Sequence, residues 1–219
     1  ATDNYQCDYV AAESARKAWE KGARVGALPT IPFGVQTGQL DVPFDVNVNP
    51  STQAAVLEDV VDSLSRQGIP KLLVLNGHGG NSFKQMIREI QPNYPDIFIC
   101  AVNWYGDEVV DRNDYFDEPG DHAGEMETSA MMHIAPELVE SLEQAGPGDE
   151  HPFTIEGLRE GWVWAQREWT RATEDTGVGD PKAASPKRGE RYLDAVSDRI
   201  GTFLVDLASA DPDRLYEGE

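Results

Sequence analysis

The order of patterns along the chain predicts an α/β layered domain with a mainly parallel sheet. Three observations carry this. Helical-period segments alternate with short apolar runs. Two of those runs, KLLVLNG at 71–77 and IFICAVNWY at 97–105, are continuously apolar and bounded by breakers, as strands covered on both faces are. A length of 219 residues suits one core, so residues 1–219 are read as a single domain.

The elements follow in order. Residues 8–21, DYVAAESARKAWEK, place Val10, Ala11, Ala15, Ala18 and Trp19 on one side of a helix that ends at Gly22. VGALPTIPF at 25–33 reads as a strand leading into a loop rich in Gly, Pro and Gln, residues 34–52. Pro50-Ser51-Thr52 opens a second helix with an apolar stripe of Val56, Leu57, Val60, Val61 and Leu64, closed by Gly68. The strand 71–77 follows, then a helix beginning SFKQMIREIQ, then the strand 97–105. A further helix begins near Ala123.

Composition narrows the function. With 39 acids against 18 bases the net charge is −21, a field that repels phosphate backbones and anionic lipid, so nucleic acid and membrane surfaces are excluded as partners. A carboxylate-rich surface of this kind suits a high-salt cytoplasm, where counterions screen the self-repulsion. Two distant cysteines, Cys7 and Cys100, with no CxxC pair, argue against a disulfide framework or zinc knuckle. No apolar run has the length of a membrane span, and ATDNYQCDYV lacks a basic segment followed by an apolar one, so the expected location is cytoplasmic.

Chemistry concentrates at two strand ends. In an open parallel sheet, ligands bind beyond the carboxyl ends of the strands. There Asn76-Gly77-His78-Gly79-Gly80-Asn81 presents one histidine among three glycines, which permit positive φ and close approach. His78 is a ligand or base, or else a structural residue satisfied by its neighbours. A phosphate loop would need a Gly-Lys-Ser/Thr that does not follow. The second strand end leads to nine acids between Asp107 and Glu127, most of them a solvated face. If a helix begins near Ala123, Glu127 shares a stripe with Ala130, Met131, Ile134 and Leu138, and a carboxylate on an apolar face needs a partner such as a metal ion. Glu125 lies about 200° away on the helix and reads as a first-turn charge suited to the helix dipole. His122, just before the helix, is a candidate proton carrier. His133 and His151 receive no role.

Three motifs in order, NGHGGN after a strand, HAGEMETS opening a helix, and GVGDPKAASPKRGERYL near the C-terminus, resemble the creatininase family of metal-dependent amidohydrolases. The resemblance implies a three-layer α/β/α sandwich with a divalent metal site, usually binuclear, at the carboxyl ends of the strands, where a metal-held hydroxide attacks an amide-like carbon. It further implies a homo-oligomer, commonly a hexamer. Carried over by motif, the metal ligands fall on Asp3, His78 and Glu127, with Asp3 bridging, and the proton-handling histidine on His122. The family's Glu-x-His pair upstream of that aspartate has no counterpart in these residues, so the sequence is expected to be a fragment lacking its first strand and first metal-binding loop.

On that footing the metal is zinc, manganese or iron, since imidazole and carboxylate suit all three. Amides of Gly79 and Gly80 are candidates for an oxyanion, Asn76 and Asn81 for orienting His78, and Glu125 with them for supporting the ligands from behind. Creatinine-active members are expected to carry Trp-Asp and Tyr-Glu where this chain has Glu118-Pro119 and Gly79-Gly80. The expected substrate is therefore a small cyclic amide or formamide rather than a peptide. Trp162, Trp164 and Trp169 are placed over the pocket, at an oligomer interface, or in plain packing. Two alternatives stand beside the enzyme: a family member that has lost catalysis and serves as a binding or scaffold subunit, and a nucleotide-binding α/β protein.

Overall fold

A computed structural model describes residues 1–217. In chain order it contains α1 (Thr2–Glu20), α2 (Pro50–Arg66), β1 (Lys71–Asn76), α3 (Phe83–Ile90), β2 (Phe98–Asn103), α4 (Glu125–Ile134), the single turns α5 (Glu156–Arg159) and α6 (Trp169–Ala172), and α7 (Pro186–Ser209), joined by long loops and short 3₁₀ turns. β1 and β2 pair in parallel from Lys71 opposite Phe98 to Asn76 opposite Asn103, the crossover being made by α3.

Side-chain alternation along the strands produces the layers, because successive residues point to opposite faces. On one face, Leu73, Leu75 and Val102 pack against a core of Cys7, Val10, Trp104, Met126, Leu193 and Val196, contributed mainly by α1, α4 and α7. On the other, Leu72, Val74 and Ile99 meet Leu57, Val61, Met86 and Ile90 of α2 and α3. Helices thus cover both faces of a parallel sheet, which is the α/β/α arrangement. No helix among the described residues is long and apolar enough to cross a membrane.

Several expectations need correction. Residues 25–33 form no strand: they run as irregular chain with Leu28, Ile31 and Phe33 more than half exposed, and Pro29 and Pro32 deny the segment ladder donors. Among the described residues the sheet has two strands, so its outer edges are open. As a result Ala101 and Asn103 are exposed where a fully covered strand was expected. α1 begins at Thr2 rather than residue 8, which places Asp3 in its first turn, and Trp19 is 53% exposed instead of facing the core. α4 ends at Ile134, so Leu138 leaves the predicted stripe and lies half-exposed in a 3₁₀ turn.

The tightest crossing is between α4 and α7. A side chain at Gly189 would overlap the Ser129 carbonyl and sit 2.9 Å from the Ala130 nitrogen. The N-terminus of α7 is fixed beside it: Ser185 caps the helix by accepting from the Arg188 N–H, while its own N–H donates to Ser129 Oγ at 3.1 Å. Gly189→Ala should therefore lower stability by about 1–3 kcal/mol, the usual cost of overpacking. A denaturant midpoint that does not move would refute this crossing.

Candidate metal and proton-transfer site

His78 stands at the carboxyl end of β1 on a loop whose backbone is held by the buried amide of Asn76 and the half-buried amide of Asn81. Asn76 Oδ1 accepts the His78 N–H at 3.2 Å, Asn76 Nδ2 donates to the His78 carbonyl at 3.0 Å, and Asn81 Nδ2 donates to Asn76 Oδ1 at 2.9 Å. Asn81 Oδ1 in turn accepts the Val35 N–H at 3.0 Å, pinning the loop of residues 34–48 over the imidazole. Two glycines explain why the motif cannot carry side chains. A Cβ at Gly77 would strike Cys7 Sγ, and one at Gly80 would strike the Val35 carbonyl and the ring of His78. Gly79 faces open space, its nearest neighbour being Tyr105 Oη at 3.8 Å from a notional Cβ.

The ring of His78 is fixed from both sides. Nε2 lies 3.0 Å from the Val35 carbonyl and Nδ1 lies 3.0 Å from Asp3 Oδ2. A carbonyl only accepts, so the Nε2 proton belongs to that contact. In a neutral imidazole this leaves the Nδ1 lone pair facing a carboxylate, acceptor against acceptor. The contact is satisfied by a second ring proton or by a cation held between the two groups. Burial opposes charge on His78, but the hydrogen bond and charge of Asp3, the Val35 carbonyl and the charge of Asp45 outweigh it, and the pKa lies above its ordinary value.

His122 has the opposite tautomer. Its Nδ1 lies 2.6 Å from the Thr176 carbonyl and must donate there, which leaves Nε2 with the lone pair. Its backbone pairs antiparallel with Val178, and its ring lies against Trp169 with centroids 4.6 Å apart. Both flanks carry non-glycine residues in the left-handed region: Ala123 at φ 52° and Thr176 at φ 69°. Each costs roughly 1–3 kcal/mol, and such strain persists where the surrounding structure imposes it, commonly at functional positions.

Glu127 rises from the first turn of α4, with Oε2 accepting the Ala123 N–H at 2.5 Å. Burial first, then the charges of Asp3 and Asp121, push its carboxyl above its ordinary value against the opposing effects of His122 and Ala123. Asp3, His78, His122 and Glu127 are therefore gathered around one region, although only Asp3 and His78 are in direct contact. Among the described residues no three His, Cys, Asp or Glu side chains stand in a ligating array. The donor set, one imidazole and two mutually repelling carboxylates, is chemically that of a divalent cation.

Glu125 corrects a sequence expectation. Instead of an exposed first-turn charge it is completely buried, bonded to the Arg188 guanidinium and accepting the N–H groups of Asp117 at 2.9 Å and Glu118 at 3.1 Å. The reason is tertiary: α7 delivers the Arg188 cation to this spot. Sequence reasoning also missed Tyr105. Its phenol is pushed up to about 12 by burial and by Asp3, Asp121 and Glu127, so it stays a neutral donor at the rim of the site. Its position just after β2 was the available signal, since chemistry collects at strand ends. Asp45 is a second omission: its charge reaches His78, and Oδ2 is buried without a hydrogen-bond partner among the described residues. Trp169 lies at the site, whereas Trp162 and Trp164 are exposed, and His133 pairs with Tyr9 elsewhere.

Fold and site together define an α/β/α protein with imidazole and carboxylate groups collected at the carboxyl rim of its sheet. The profile of creatininase, described as creatinine amidohydrolase, matches residues 1–204, and the chain belongs to that family. A crystal structure of a candidate creatinine amidohydrolase from Bacteroides fragilis is 44% identical, covering 99% of this chain and 85% of that one with a TM-score of 0.92. A mycofactocin precursor peptide peptidase of Mycobacterium ulcerans is 29% identical over 136 residues, which is 59% of this chain and 46% of that protein. The chain spans about half the length of the curated relatives it matches. A manganese form of creatininase shares the fold at 20% identity and a TM-score of 0.67, over 91% of this chain and 82% of that one.

Glu127 and His78 both bind protons more tightly when folded than when unfolded. Stability in the metal-free protein should therefore fall as pH rises above about 4.5 for Glu127 and above about 6.5 for His78. Glu127→Gln should raise the melting temperature of metal-free protein at pH 7 and flatten the acidic part of this dependence. A lower melting temperature for that variant across pH 5–8 would contradict the repulsion described here.

Proposed function

We propose that the protein is a metal-dependent amidohydrolase that cleaves the C–N bond of a small cyclic amide or formamide. The observation that carries the reading is the Asp3–His78 contact, in which a lone pair and a carboxylate face each other with the remaining ring proton already committed to Val35. Family membership and the manganese form of a fold relative support a divalent ion. Asp3, His78 and Glu127 would hold the ion. When bound, it supplies Lewis acidity and makes hydroxide available near neutral pH.

The protein's own residues supply the rest. His122 Nε2 takes up a proton and returns it to the departing nitrogen, while Thr176 holds the ring's other proton in place. Tyr105, neutral at physiological pH, donates to an oxygen that gains charge. Trp169 and the loop of residues 34–48 shield this region from water, since the Trp169 N–H donates to the Gly38 carbonyl at 3.1 Å. The amides of Gly79 and Gly80 are further candidates for the oxyanion, Gly79 being the more open of the two.

A peptide substrate is the second reading, favoured by the peptidase among the relatives. The site is proposed to serve a cytoplasmic homo-oligomer, a hexamer, with a small molecule as its partner and neither nucleic acid nor membrane. Manganese- or zinc-loaded protein should hydrolyse members of a panel of creatinine, hydantoin and N-formyl amines, and chelation should abolish turnover. Turnover confined to a short peptide would transfer the assignment to the second reading; no turnover and no bound ion would leave a scaffold subunit. In an active preparation, His122→Asn should lower kcat by about 10²–10⁴-fold, the usual contribution of a positioned acid–base group.

A further inference from the structure

The loop that presents His122 is closed by a single carboxylate. Glu125 Oε2 accepts the N–H groups of Asp117 and Glu118, where the loop begins, and Glu125 is itself the first residue of α4, where the loop ends. Residues 117–124 are thereby drawn into a ring, the N–H groups at its start donating to the carboxylate of the residue that follows its end. The Met126 N–H donates to the Pro119 carbonyl at 3.1 Å within the same ring. Its free side is locked to the 176–179 segment: the Asp121 and His122 N–H groups both donate to the Val178 carbonyl, at 2.8 and 3.1 Å, and the Val178 N–H donates to the His122 carbonyl at 2.7 Å. Gly120 at φ 76° and Gly179 at φ 108° meet there so closely that a Cβ on Gly179 would lie 2.6 Å from the Gly120 Cα.

The Glu125 side chain is only 1% exposed, and a charge so enclosed needs a counter-charge. Arg188, from the first turn of α7, provides it, bonding Glu125 through Nη1 and Asp117 through Nη2 at 2.9 Å. The guanidinium thus spans the carboxylate that ties the ring and the residue being tied. The backbone at Arg188 is held on both sides, because Ser185 caps α7 three residues before it and Gly189 wedges the helix against Ser129 immediately after it.

We infer that Glu125, clamped by Arg188, is a positioning residue for His122: it sets the shape of the 117–124 ring and so the place and tautomer of the imidazole. Its catalytic consequence rests on the reading of His122 as the proton carrier. Glu125→Gln keeps the shape of the side chain and removes the charge that holds two amides and a guanidinium together. In folded, metal-free protein, this variant should accelerate amide exchange at Asp117 and Glu118 and change the ¹⁵N signature of the His122 ring from one fixed Nδ1–H tautomer to a mixture. In manganese-loaded enzyme, it should lower kcat about 10–100-fold, as loss of an orienting partner does, while KM and bound metal hold. If Glu125→Gln does not fold, Arg188→Lys keeps the charge, removes the fork and carries the same readouts. A folded variant with an unchanged His122 signature and unchanged exchange would overturn the inference, even if its melting temperature fell. A changed signature alongside full activity in His122→Asn would support the positioning of the ring and overturn the proton-carrier role, which separates the two.

Discussion

One contact organises the site: the imidazole of His78 held between the Asp3 carboxylate and the Val35 carbonyl. Because Val35 can only accept, it decides where the ring proton resides, and because Asp3 can only accept when ionised, the opposite nitrogen faces a group that offers it nothing unless a proton or cation intervenes. Each of the three residues arrives from a different part of the chain. Asp3 comes from the first turn of α1, Val35 from the loop after the irregular 25–33 segment, and His78 from the end of β1. Gly77 and Gly80 are needed because three chain segments meet within van der Waals distance there.

The second half of the site is organised by the same logic in mirror image. Thr176 fixes the Nδ1 proton of His122, leaving the lone pair on Nε2, whereas Val35 fixes the Nε2 proton of His78 and leaves the lone pair on Nδ1. Two histidines with opposite tautomers, each set by a backbone carbonyl, can divide ligation and proton transfer between them. The strain at Ala123 and Thr176 is consistent with that division, since a relaxed loop would not deliver the ring against Trp169.

How much of this was legible beforehand depends on whether the signal was local. The strands at 71–77 and 97–105 and the helix after residue 50 were readable because apolar periodicity and breakers coincide there. His78, His122 and Glu127 were singled out from spacing, and the structure gathers them in one region with Asp3. Residues 25–33 failed because apolar character was weighed above two prolines. Glu125 failed for a different reason: whether a carboxylate is solvated or buried depended on Arg188, 63 positions away, and no window around Glu125 contains that information. Tyr105 and Asp45 likewise gain their roles from neighbours brought in by the fold.

The placement of Asp3 ties its contact with His78 to the seating of a whole helix. It sits at one tip of a 19-residue helix whose other end is moored to α7 by Lys17, bridged to Asp194 and Asp198 about 21 Å along the axis. The helix behaves as a rigid arm, so the carboxylate reaches the imidazole only once both ends of α1 are seated. Formation of the Asp3–His78 contact is thus tied to the seating of α1 on α7, since one helix carries Asp3 at one end and Lys17 near the other.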